Sequence, residues 1–300
     1  MELLYSSGCR RYAADAQDIC LTLAKVGSFV GTQGFCFLLV LCSLLHRYIF
    51  SISRLNLLYG PKYATLPLQE KRHLRLVHVG IVMKSMAAPI MITSISMVIQ
   101  GGYAWSDSFG PGVTVFDTVS LSTCLLGASA LFDLIYDESL RPLYVWHHLV
   151  MLLATQGTPA LIMSLPTSNE ARLLATFEAI KVGLTWVLFS SLGSTLSRLT
   201  YLLRKLFSFE PKTLCRLFLV NFITFASVTF LEAAIVAYLL RTRWERLPTS
   251  LAIIIALFQA LFTTTKYKTV GRLFAVYRNQ AMDVKRLLDV TKWENGKNVK

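Results

Sequence analysis

Acidic side chains are scarce in this chain. Seventeen Asp and Glu stand against 30 Lys and Arg, so the net charge is +13. Histidine is scarcer, with only His46, His73, His78, His147 and His148. None of these sits in the HxxxH or HxxHH boxes of membrane di-iron desaturases and hydroxylases, so that chemistry is excluded. The six cysteines form no CxxC pair and no zinc spacing. No metal site is expected, and several cysteines lie in apolar runs, where packed free thiols are the expectation. A P-loop, a GxSxG elbow and a GxGxxG turn are all missing. No internal repeat or low-complexity segment stands out, and the polar N-terminus lacks a cleavable-signal pattern.

What the chain has in excess is apolar sequence. It is 54% hydrophobic over 300 residues, with a mean hydropathy of +0.52. Repeated apolar runs of about 18 or more residues mean transmembrane helices. Seven are expected: about Val26–Tyr48, Leu76–Ile99, Val113–Tyr136, Pro142–Ser164, Ala171–Leu192, Leu214–Leu240 and Ser250–Val270. The fold class is therefore all-α, a polytopic membrane bundle. Excess Lys and Arg in such a protein marks the cytoplasmic side and does not point to nucleic acid. Arg47, Arg54, Lys62, Lys71, Arg72 and Arg75 crowd the first loop, and Arg198, Arg204, Lys205, Lys212 and Arg216 the fifth. The tail from Lys266 carries nine more. This alternation predicts a lumenal or external N-terminus and a cytoplasmic C-terminus.

Titratable groups inside these runs are costly and usually face a bundle interior or a cavity. They are Lys84, Asp117, Asp133, His147, His148, Glu178, Lys181 and Glu232. The third and fourth spans form a tight antiparallel hairpin, so Asp133 and the two histidines share a depth. Neighbouring helical residues point about 100° apart, so the two imidazoles cannot aim at one atom. One histidine should approach Asp133 or Asp137, and the other should line a cavity. That arrangement suits a general-base dyad, and it equally suits a polar clamp with no chemistry. Glu178 and Lys181, three apart, suit an intrahelical ion pair. Trp146 and Trp186 read as packing or interface anchors.

The stretches "LFDLIYDESLRPLYVWHHLVMLL" and "FEAIKVGLTW", in a multi-span chain with a basic tail, resemble the TRAM–LAG1–CLN8 (TLC) domain family. The resemblance covers about Leu68–Arg278. It divides the chain into residues 1–25 outside or in the lumen, a first helix and basic loop at 26–67, a six-helix TLC-like domain at 68–278 and a cytoplasmic tail at 279–300. It implies residence in the endoplasmic reticulum membrane. In the ceramide synthases of this family, paired histidines are needed to transfer an acyl group from acyl-CoA to a sphingoid amine, and they carry over to His147 and His148. The ceramide synthase signature continues into a His-Asp-x-x-Asp element, where this chain reads "TFEAIKVG". The resemblance thus implies a non-standard member that acts on or senses acyl lipids.

If the protein is an enzyme, the candidate catalytic set is His147, His148, Asp133 and Asp137. Glu178, Lys181, Lys84 and Trp146 are the candidate substrate-binding residues. No bound cofactor is expected; acyl-CoA is the expected co-substrate, membrane lipids are the partners, and a homodimer is the expected assembly. The alternative is a lipid sensor, cargo receptor or lipid transporter that uses the same cavity without chemistry. A proton-coupled carrier built on Asp133, Glu178 and Glu232 is weaker, because inverted repeats are missing.

Overall fold

The computed structural model describes residues 17–18, 20–22, 28–99, 103–138, 140–157 and 170–297. Helix α1, Ser28–Leu44, ends in a π-helical turn at Leu45–Ile49, and the short helices α2, Ile52–Tyr59, and α3, Pro61–Ala64, follow. Helix α4, Leu68–Ile99, leads to a small antiparallel hairpin of β1, Ser108–Gly110, and β2, Val113–Thr114. Then come α5, Val115–Tyr136, α6, Pro142–Leu152, α7, Glu170–Leu206, α8, Pro211–Arg243, and α9, Thr249–Lys297.

The chain is a helical membrane bundle. Among the described residues, five helices are long and apolar enough to cross a membrane. They become six if the bent pair Gly34–Ile49 and Ile52–Tyr59, which turns by 57°, counts as one span. The expected fourth span begins at Pro142 and is helical through a π-helical turn at Leu153–Gly157. Its remainder, to Ser164, lies outside the described residues.

Several helices run well past the spans expected from hydropathy. Helix α4 starts at Leu68 rather than Leu76, α7 continues to Leu206 rather than Leu192, and α9 continues to Lys297 rather than Val270. Hydropathy marks where lipid tails begin, but the helical hydrogen-bond ladder does not stop there. Arg198 and Lys266, expected in a loop and at the start of the tail, are therefore helical.

Local chemistry sets the helix starts that matter. Pro142 and Pro211 open α6 and α8 in the first turn, where a missing N–H costs nothing. Asp117, expected as a charge at membrane depth, belongs instead to the capping box of α5. Thr114 N donates to Asp117 Oδ2 at 2.8 Å, and Asp117 N donates to Thr114 Oγ1 at 3.2 Å. Asp18 accepts hydrogen bonds from Trp105 N and Ser106 N, both at 3.1 Å, and so ties the N-terminal segment to the β1–β2 end of the bundle. Cys42 and Cys124 are buried free thiols as expected, while Cys215 is half-buried and Cys36 is exposed, both free. Cys20 is not, being disulfide-bonded. It lies outside the apolar spans, in a spacing that carries no pairing signal.

The core forms two main clusters. Leu38, Met83, Met91, Leu125 and Val187 join α1, α4, α5 and α7. Met151, Trp186, Val236, Ile255 and Phe262 join α6 through α9. A third, around Leu55, Tyr63, Leu74 and Leu202, closes the basic end.

Candidate functional site

A cavity of about 340 Å³ opens where the two main clusters meet, between Leu126 of the first and Met151 of the second. Helices α4 to α9 all contribute to its wall. That volume lies in the range of about 300–1,000 Å³ usual for small-molecule sites.

His147 and His148 both line it. Their rings stand 5.5 Å apart at 82°, as the helical offset requires. His148 Nδ1 lies 2.7 Å from the Tyr144 carbonyl oxygen, which can only accept, so this nitrogen carries the proton. His148 Nε2 then faces Asp133 Oδ2 at 3.5 Å. The carbonyl of the preceding turn, rather than the carboxylate, thus fixes the tautomer. His147 Nδ1 lies 3.2 Å from Thr265 Oγ1. The Thr265 hydroxyl donates to the Phe262 carbonyl at 2.8 Å, so it accepts from His147. The His147 ring also packs edge-on against Phe262, which packs in turn on Trp186. In the neutral state both histidines therefore spend Nδ1–H on the protein and keep the Nε2 lone pair. The expected split is present: His148 meets Asp133, and His147 is held elsewhere on the wall.

Asp133 is 5% exposed, and its Oδ2 also accepts from Arg198 Nη2, so the carboxylate is shared. Arg198 Nη1 reaches the Leu76 carbonyl at 3.3 Å. This crossing is possible because residue 80 is glycine. A Cβ there would collide with the Arg198 guanidinium. Gly80→Ala is expected to push Arg198 off Asp133 and to lower the melting temperature of the purified protein. A melting temperature equal to wild type would show that the guanidinium finds another route to Asp133.

Asp133, Ser197 and Arg198 also line a second cavity of about 210 Å³, together with His73, Asp137 and Tyr201. The Asp133–Arg198 pair thus stands between the two chambers. Asp137, a catalytic candidate, faces the second chamber. There its Oδ2 lies 3.4 Å from His73 Nδ1, and it does not join the paired histidines.

The substrate-binding candidates divide. Lys84 lines the main cavity, and among the described residues it makes no hydrogen bond or ion pair. Trp146 is 62% exposed on the outer face of α6, because it precedes His147 by the same 100° step. Glu178 and Lys181 pair at 3.1 Å, and Arg243 and Arg246 each stand 3.9 Å from the same carboxylate oxygen. Glu178 lies twenty residues before Arg198 on α7, roughly 30 Å away by helical rise. The Glu178 cluster is therefore at the other end of the bundle and cannot touch an atom held by the histidines. Glu232 is buried against Lys266, which lines the main cavity.

Arg198, Lys266, Thr265 and Gly80 were not singled out from sequence. The available signal was the stripe Ser190, Ser194, Ser197 and Arg198, which repeats with helical spacing and belongs to the cavity wall. Among the described residues no three His, Cys, Asp or Glu side chains come together in a way that could hold a metal ion. No family model, curated protein or solved structure matches the chain.

Proposed function

We propose that this protein handles acyl lipids in the manner of the TLC family, with His148 as the general base of an acyl transfer. One observation carries the reading: two adjacent histidines hold the same tautomer, and the free Nε2 of one lies beside a buried carboxylate at a cavity. A thioester such as acyl-CoA supplies the acyl group. His148 Nε2 takes a proton from the acceptor amine or hydroxyl as that atom attacks the thioester carbonyl. A new C–N or C–O bond forms, the C–S bond breaks, and the proton passes from His148 to the departing thiolate. Asp133 stabilises the imidazolium formed in between from the side of Nε2, while the Tyr144 carbonyl takes the far nitrogen that the acid of a catalytic triad would hold. The acylated product leaves through the bilayer. The reading includes seven spans in the endoplasmic reticulum membrane, with a lumenal N-terminus and a cytoplasmic C-terminus, supported by the basic residues in the first and fifth loops.

A second reading, a lipid sensor or transporter without chemistry, is favoured by Arg198, which already occupies the carboxylate that a dyad would use. Lipid profiling of a deletion strain rescued with His148→Ala or His147→Ala separates the two. The enzymatic reading expects His148→Ala to abolish turnover, a fall of 10²-fold or more for a lost general base, at normal protein abundance. Normal lipid turnover in the His148→Ala rescue would leave only the sensor or transporter.

A further inference from the structure

Charge accounting around the main cavity restricts what can enter it. Four cations line the wall: Lys84, Arg198, Lys266 and Arg272. Arg198 is neutralised by Asp133 and Lys266 by Glu232. Among the described residues Arg272 meets the ring and hydroxyl of Tyr144, with Nη1 3.1 Å from Tyr144 Oη, and no acid. Lys84 makes no hydrogen bond or ion pair among the described residues; the carboxylate in its electrostatic reach, Asp133, is already engaged by Arg198. Two positive charges are thus unmatched, one at the exposed rim on Arg272 and one within the bundle on Lys84. No acid on the cavity wall is unmatched.

An ammonium without a counter-ion inside a membrane bundle is costly. Such a group persists where function uses it, and the partner that removes the cost is an anion. Lys is a compact point charge that suits a phosphate oxygen, and Arg presents a fork of donors to the same group. A single phosphomonoester dianion matches two unmatched cations in charge, where a carboxylate matches one.

The cavity also has apolar surroundings. A small gap of about 30 Å³ lies between α5, the turn after α6 and α7, lined by Val119, Thr123, Ala154, Leu184 and Val187. Thr123, Ala154 and Val187 each stand three residues from a cavity residue on the same helix, namely Leu126, Met151 and Ser190. The gap therefore adjoins the cavity one helical turn away, and the larger apolar surface is the cavity's own wall of Leu126, Ala130, Met151, Phe225 and Val228.

We propose that the cavity is a binding site for a phosphate-bearing amphiphile, whose phosphate is met by Lys84 and guided in by Arg272 and whose chain lies along the apolar wall of Leu126, Met151, Phe225 and Val228. The inference rests on the acyl-lipid reading of the same cavity and names its substrate class. It also disfavours a sphingoid base as the ligand at this position, because a cationic headgroup would join two unmatched cations.

The test is equilibrium binding to the purified full chain in detergent micelles. The probes are 1-palmitoyl lysophosphatidate, inorganic phosphate and sphinganine. Lysophosphatidate should bind wild type at least tenfold more tightly than sphinganine does. Lys84→Gln should weaken lysophosphatidate binding about tenfold or more, the loss of one charge-assisted contact, while Lys84→Arg stays near wild type. Arg272→Gln sits at the exposed rim and leaves the packed interior intact. It should weaken binding several-fold, and it keeps the test decisive if Lys84→Gln fails to fold. Wild-type affinity in both charge-removing variants would overturn the proposal, and so would sphinganine binding as tightly as lysophosphatidate. Inorganic phosphate displacing lysophosphatidate at equal concentration would remove the chain from the proposal and leave a free-phosphate site. Because no turnover occurs in this assay, a negative result stands apart from the fate of the histidine chemistry, which the His148→Ala rescue reads separately.

Discussion

Arg198→Ala is expected to destabilise the protein by about 3–5 kcal/mol, the usual cost of leaving a buried charge without its partner. The stranded group is Asp133, 5% exposed and faced by Arg198 on one side and His148 on the other. The same variant should also change the chemistry. With the guanidinium gone, the carboxylate turns to the imidazole and to Lys84, and the barrier between the two chambers opens. Chemical unfolding of the purified protein in detergent gives the stability term. An Asp133→Asn, Arg198→Ala double variant gives the coupling, because it removes both charges together. The double variant should recover much of what the single one loses. A loss below about 1 kcal/mol for Arg198→Ala would place the pair among weak surface bridges and remove its role as a partition.

The reach and the limits of the sequence follow from this pair. That one of the two histidines meets Asp133 or Asp137 was legible because a short hairpin equalises depth and helical geometry separates adjacent side chains; which histidine and which acid was not. The Glu178–Lys181 pair was legible from its three-residue spacing. Trp146 was misplaced because residue type alone does not show which side of α6 it occupies. Arg198 and Lys266 were hidden by the reasoning that oriented the bundle. Counting basic residues by loop treats a cation near a span end as cytoplasmic, yet α7 and α9 carry both inward, onto the wall of the cavity. Gly80 was illegible, since nothing in its own helix reveals that a guanidinium from α7 will cross it. What pattern conveys is depth and facing within one helix or one hairpin. What it omits is the partner from another helix, as Arg198 is to Asp133 across 65 residues.

Glu232 and Lys266 form the most deeply buried ion pair among the described residues, with side chains 1% and 8% exposed on α8 and α9. Replacing either one alone, Glu232→Met or Lys266→Met, should cost about 3–5 kcal/mol, because the remaining charge keeps its burial and loses its counter-ion. Replacing both should restore stability to within about 1 kcal/mol of wild type or exceed it, since two well-packed apolar chains of similar volume avoid the desolvation cost. Reversible unfolding of the four proteins in the cycle measures this. The cycle also bears on the binding proposal. Lys266 lines the cavity but arrives neutralised, so the double variant should keep its affinity for lysophosphatidate within about threefold, which is less than 1 kcal/mol. Single variants as stable as wild type would mean that water or lipid headgroups reach the pair and screen it. A double variant that folds well but no longer binds would show that Lys266 leaves Glu232 to hold the phosphate, so the anion would then be shared among the cavity's cations rather than held by Lys84.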